Sequence, residues 1–169
     1  RQRVLIAGAI ALGPKLLLAD EPVASLDASI RGEILALLRS LVDEHGLSVI
    51  AVTHDLGLAW NIADRIAVMY LGRIVELGGA EEVLASPQHP YTRALLSVVP
   101  EMERMEQQIL TGETPDPSRI PSGCRFHPRC PVVASGEAER LGVLSKCTGV
   151  DVELVERGTA HWSACHALP

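Results

Sequence analysis

Leu16-Leu17-Leu18-Ala19-Asp20-Glu21 is a four-residue apolar run that ends on two adjacent carboxylates. Gly13-Pro14 precedes it and Pro22 follows, so it has the length of a strand rather than of a helix. Working outward, residues 2–12 read as a helix that stops at Gly13-Pro14. Residues 28–45 carry Ile30, Ile34, Leu37, Leu38 and Leu41 at helical spacing, with Gly46 as the C-terminal stop. Leu47 to Val52 is a second apolar run. Asp55 to Ala63 is a short helix, into which Trp60 is expected to pack. Residues 65–71 and 74–77, joined at Gly72-Arg73, read as a β-hairpin. Strand, helix, strand, helix predicts an α/β fold with a mostly parallel sheet, its two apolar strands buried on both faces.

The 169 residues carry 15 Lys+Arg against 21 Asp+Glu, a formal charge of -6, with 47% apolar residues. That excludes simple disorder and argues against a nucleic-acid binder, which needs a basic surface. No run reaches the roughly 20 apolar residues that span a bilayer. Composition shifts near residue 79: all four cysteines and nine of the eleven prolines follow it. Three parts are expected, namely a core over 1–78, a helical bridge over 79–100 and an extension over 101–169. Helices are expected at Ala80–Ala85 and Tyr91–Val99, a solvated helical stretch at Glu101 to Glu106, and a Pro/Gly/Ser linker over 111–123. The first residue is Arg and helical periodicity begins at once, so the sequence is expected to continue from a longer chain.

In open parallel sheets, ligands bind beyond the carboxyl ends of the strands. An apolar run followed by Asp is the Walker B pattern, whose Asp holds the Mg²⁺ of a bound nucleotide. Asp20 has that place, and Glu21 is placed to polarise a water in line with a γ-phosphate. The blander reading is a wet loop at a strand end. After the second run, Thr53-His54-Asp55 puts an imidazole at the same sheet edge. Singly, His54 is a loop histidine, with Asp55 suited to a helix N-terminus. Together with Asp20, Glu21 and the intervening helix, it marks a phosphoryl-transfer site.

This set of motifs resembles the later part of an ABC-transporter ATPase, a P-loop NTPase core. Leu16 to Pro22 resembles the Walker B segment with its catalytic Glu. Ala24-Ser25-Leu26-Asp27 resembles the D-loop, Thr53-His54-Asp55 the switch-histidine loop, and Arg1-Gln2-Arg3-Val4 the run just after the signature motif. Gln88-His89-Pro90-Tyr91-Thr92-Arg93 and Gly123-Cys124-Arg125-Phe126-His127-Pro128-Arg129-Cys130-Pro131 resemble the C-terminal extension of bacterial dipeptide, oligopeptide and nickel importer ATPases. The resemblance implies ATP and Mg²⁺ as ligands, with Asp20 on Mg²⁺, Glu21 on the attacking water, His54 on the γ-phosphate and Asp27 reaching across a dimer. It implies permease subunits and a second ATPase subunit, identical or paralogous, as direct partners. A substrate-binding protein is an indirect partner, and the place is the cytoplasmic face of the membrane. Nucleic acid is not expected as a partner. A nickel-importer ATPase, a soluble non-transport ATPase of the same class and a non-catalytic cysteine module are the competing readings.

The P-loop pattern G-x-x-x-x-G-K-[ST] is missing, since the two lysines, Lys15 and Lys146, follow Pro14 and Ser145. The signature motif is absent too. The 169-residue polypeptide alone is therefore expected to be inactive. Cys124, Cys130, Cys147 and Cys165 lack the C-x2-C knuckles of a structural zinc site. Cytosolic reducing conditions disfavour disulfides. Four thiolates suit an iron–sulfur cluster, and the importer resemblance points to [4Fe-4S]. Zn²⁺ with a histidine, or no metal at all, stays open.

Overall fold

The computed structural model describes residues 2–24, 26–99, 107–113 and 115–168, with every side chain among them except those of Ala28 and Leu58. The stretch from Glu101 to Glu106 read as a solvated helix lies outside the described residues, as does Ser25. The chain divides into two compact units, residues 1–62 and 63–169.

In the first unit, α1 (Gln2–Ile10) ends before Gly13, whose φ of 62° closes a turn onto Ile10 O at 2.9 Å. Strand β1 (Leu16–Asp20) leads through a turn to α2 (Ala28–His45). Asp27 caps α2, its Oδ1 accepting from Ile30 N at 3.0 Å. Gly46 ends it in the left-handed conformation, donating to Leu41 and Val42 carbonyls. Ile34 and Leu38 of the apolar stripe bury against Val23, with Ile6, Leu17, Leu26, Leu35 and Ile62 packed around them. Ile30, at the start of the stripe, remains exposed. Strand β2 (Ser48–Val52) pairs in parallel with β1, Leu16 opposite Ser48 and Asp20 opposite Val52. Helix α3 (Leu56–Ile62) follows.

Two expectations fail in this unit. Neither strand is buried on both faces, because burial alternates along each and leaves Leu16, Leu18, Ile50 and Val52 exposed. A parallel strand is buried twice only when a layer covers each face, and among the described residues only one face is covered. Trp60 does not pack within α3: it is 54% exposed.

The second unit is built on a four-stranded antiparallel sheet of order β3-β4-β6-β5. Strands β3 (Arg65–Tyr70) and β4 (Arg73–Gly79) form the expected hairpin. Its two-residue loop is Leu71-Gly72, both at positive φ (44° and 74°), the geometry that matches strand twist in tight hairpins. Helices α4 (Ala80–Ala85) and α5 (Pro90–Leu96) follow, α5 starting at a proline after the His89 cap. Beyond the linker come a 3-10 turn (His127–Arg129) and short helices α6 (Pro131–Ala134), α7 (Glu137–Arg140) and α8 (Leu144–Gly149). Strands β5 (Val155–Gly158) and β6 (His161–Ser163) return to the hairpin, β6 pairing with β4. The fold is α/β as expected, but parallel pairing among the described residues is confined to β1 and β2. The division at 62/63 precedes the composition change at 79 because β4 hydrogen-bonds to a strand of the extension. The unit's aromatic core joins Tyr70 of β3, Tyr91 of α5 and Phe126, with ring centroids 4.7 to 5.3 Å apart.

Candidate functional site

Parallel pairing brings the carboxyl ends of β1 and β2 side by side, so Asp20-Glu21 and Thr53-His54 meet at one edge. Glu21 N donates to Val52 O at 2.9 Å, extending the pairing one residue past β1. Glu21 then takes φ 44°, a left-handed conformation that costs a side-chain-bearing residue about 1–2 kcal/mol. Its Oε1 accepts from His54 Nδ1 at 2.6 Å. The imidazole is 82% exposed, so the pair faces solvent. Asp20 ends β1 exposed, and its carboxylate has no hydrogen-bond or ion-pair partner among the described residues. A free oxygen donor of this kind suits a hard cation such as Mg²⁺. Asp27 is engaged at the start of α2 through its cap bond to Ile30 N. The structure thus brings Asp20, Glu21 and His54 to one edge, with Asp27 following on the turn out of β1.

The four cysteines come together in the second unit. Cys124 precedes the 3-10 turn, Cys130 ends it, Cys147 lies in α8 and Cys165 follows β6. All four line one small cavity, with His127 and His166 beside them, and all are free thiols. Gly123 permits the approach. At its φ of +67° a Cβ would lie 2.6 Å from Cys147 O, and Cys124 N donates to that same carbonyl at 2.9 Å. Burial pushes the Cys124 thiol up to about 11, and the other three cysteines add to the rise. Burial also raises Cys130, Cys147 and Cys165. The thiols are protonated as they stand, so ligation of a metal must release protons. Among the described residues, no three His, Cys, Asp or Glu side chains are grouped so as to hold a single metal ion.

Residues 75–136 match the family described as the oligopeptide/dipeptide transporter, C-terminal region. The chain is 41% identical over 171 residues to the oligopeptide transport ATP-binding protein AppF of Bacillus subtilis, covering 98% of this chain and 49% of that one. It is 48% identical over 148 residues to the oligopeptide transport ATP-binding protein OppF of Salmonella typhimurium (85% of this chain, 44% of that one). Against the dipeptide transport ATP-binding protein DppF of Haemophilus influenzae, identity is 49% over 133 residues (77% and 41%). The chain is similar over nearly its whole length to peptide-import ATP-binding proteins. It spans about half the length of the curated relatives it matches. A dimeric post-hydrolysis structure of an ATP-binding cassette bound to ADP and Pi is similar at a TM-score of 0.44 and 37% identity, covering 47% of this chain and 34% of that one.

Sequence reading missed two polar arrangements. Glu76 of β4 is completely buried, and its carboxylate accepts from Gln88 N at 2.7 Å, His89 N at 2.9 Å and His161 Nε2 at 2.7 Å. Its available signal was a lone carboxylate inside the apolar run Ile74-Val75-Glu76-Leu77. Arg31, in the first turn of α2, reaches both Leu26 O and the Asp55 carboxylate. Nothing in its exposed helical position distinguished it beforehand.

Proposed function

We propose that this chain is part of the ATP-binding, ATP-hydrolysing subunit that energises peptide import across the cytoplasmic membrane. The observation that carries the reading is the 2.6 Å contact between Glu21 and His54 at the ends of two parallel strands, with the free Asp20 carboxylate beside them. The names of the relatives, peptide, oligopeptide and dipeptide import, supply the cargo class. Bound Mg²⁺ neutralises charge on the phosphates. Asp20 would hold that ion. Glu21 orients the attacking water and accepts its proton at the carboxylate. His54 donates toward the γ-phosphate, with Glu21 holding its ring in place. Asp27 reaches toward the second ATPase subunit, identical or paralogous, so that the two sites respond to each other. The subunit docks on membrane permeases at the cytoplasmic face, and a substrate-binding protein delivers cargo to them. No helix among the described residues is long and apolar enough to cross a membrane.

The 169-residue polypeptide by itself lacks the Gly-Lys pair that cradles phosphates. Catalysis of phosphoryl transfer is chiefly positioning and charge stabilisation, so this polypeptide alone neither binds ATP tightly nor turns it over. Measurable Mg-ATP hydrolysis by the purified 169-mer would overturn that. In the full-length protein, Glu21→Gln leaves ATP binding intact and lowers turnover by about 100-fold or more. Turnover within severalfold of the unmutated protein would remove Glu21 from its role.

The cysteine cavity is assigned to a [4Fe-4S] cluster held by Cys124, Cys130, Cys147 and Cys165. Its support is the set of four free thiols lining one cavity. Anaerobic reconstitution with iron and sulfide tests it: about four irons per chain with a broad visible band is expected. A colourless protein with stoichiometric zinc overturns it.

A further inference from the structure

Arg31 stands between two loops of the strand-end site. Its Nε donates to Leu26 O at 2.8 Å, and its Nη1 lies 3.8 Å from Asp55 Oδ2. Leu26 lies in the segment 24–27 that leaves β1, and Asp55 directly follows His54. The remaining links are local. Ala24 N donates to Glu21 O at 3.3 Å and Leu26 N to Val23 O at 3.1 Å. On the other side, Asp55 N donates to Thr53 Oγ1 at 3.0 Å. His54 Nδ1 closes the circuit on Glu21 Oε1 at 2.6 Å. Arg31 bridges the two loops away from the strand ends.

We propose that Arg31 is a positioning residue. It ties the loop carrying His54 to the segment 24–27 and so keeps the imidazole aligned on Glu21. The proposal rests on the reading of Glu21 and His54 as the hydrolytic pair. A guanidinium suits the task because its Nε donates to the Leu26 carbonyl while its delocalised charge faces the Asp55 carboxylate at 3.8 Å, two roles a single ammonium fills less well. Stability is not the purpose of the contact. Arg31 and Asp55 side chains are 44% and 43% exposed, and exposed ion pairs add little to folding. The contact matters through geometry, because a displacement of about 1 Å at a reacting group can cost about 100-fold in rate.

The test is steady-state ATPase kinetics of the full-length ATP-binding protein carrying Arg31→Ala, Arg31→Lys, Asp55→Ala or the Arg31→Ala/Asp55→Ala pair, with Glu21→Gln as reference. Arg31→Ala is expected to lower kcat by about 10- to 100-fold with KM for ATP and melting temperature nearly unchanged. Arg31→Lys restores part of kcat, because it keeps the charge toward Asp55 but loses the Nε bond to Leu26. The double variant is no slower than Arg31→Ala, as expected for one shared link. A kcat for Arg31→Ala within twofold of the unmutated value overturns the proposal. So does a joint change of kcat and KM with a lowered melting temperature, which would mark a merely structural residue. If Glu21→Gln itself retains turnover, the hydrolytic-pair reading fails first and the proposal falls with it.

Discussion

Removing the Glu76 carboxylate should loosen the second unit more than any other single side-chain change in that sheet. Glu76 is 0% exposed and accepts three hydrogen bonds, from Gln88 N, His89 N and His161 Nε2. It therefore joins β4, the turn leading into α5, and β6. Glu76→Ala strands two backbone N–H groups and one imidazole N–H. A buried donor left without a partner costs about 1–3 kcal/mol, so the two backbone groups alone account for about 2–6 kcal/mol. Breaking a buried carboxylate–imidazole pair falls in the same range, about 3–5 kcal/mol when one partner is removed. An expected loss of about 4 kcal/mol corresponds to a fall of about 10 °C or more in melting temperature. Glu76→Gln keeps one acceptor but turns an NH₂ group toward a donor, so its loss should be intermediate. His161→Ala leaves the carboxylate its two backbone partners and should cost the least. The assay is urea and thermal unfolding followed by Trp162, which neighbours His161 on β6, in a Trp60→Phe background that silences the exposed tryptophan of the first unit. The reasoning is refuted if Glu76→Ala leaves the Trp162 transition in place. It is equally refuted if His161→Ala is as damaging as Glu76→Ala, since the imidazole and not the carboxylate would then be the anchor.

Three further outcomes follow from the same unit. Burial lowers the His89 pKa from 6.5 to about 4, so the folded state binds fewer protons than the unfolded one between those values. Stability should be flat above pH 6.5 and fall by about 3 kcal/mol as pH drops toward 4, and His89→Gln should flatten that slope in pH-dependent denaturant titrations. With its thiol at about 11 against an ordinary 9.0, Cys124 should alkylate about 100-fold more slowly at pH 8 in the metal-free folded protein than in urea; equal rates by mass-spectrometric labelling would contradict the burial. Gly123→Ala places a Cβ against Cys147 O, Thr148 C and Gly149 N and should destabilise by about 2–4 kcal/mol while lowering iron uptake. Gly136→Ala, also at positive φ but facing open space, should cost about 1–2 kcal/mol and leave iron uptake unchanged.

What could be read beforehand, and what could not, divides along the range of the interactions. Helix α2 was legible because its determinants are local: Asp27 caps its start, Ile34, Leu38 and Leu41 repeat at helical spacing, and Gly46 stops it. The strand-end site was legible for a similar reason, since a short apolar run ending in Asp20-Glu21 and another ending before His54 need only parallel pairing to meet. Burial of those strands was not legible, because it depends on which layers cover them. Strands β5 and β6 were missed because four and three residues carry too little pattern to declare themselves. Strand β6 exists through pairing with β4, more than 80 positions upstream, as in the His161–Glu76 bond with its separation of 85, and β5 through pairing with β6. The cysteines were conspicuous, yet their irregular spacing could not show that the ends of a 3-10 turn, helix α8 and the residues after β6 would face one cavity. Even so, the long-range contacts left a local trace. A carboxylate between Val75 and Leu77 in a strand that must be buried violates the apolar pattern around it, and such a residue persists only if distant donors satisfy it. Glu76 therefore implied a partner before any partner was visible, and the backbone of residues 88 and 89 with the His161 imidazole is that partner.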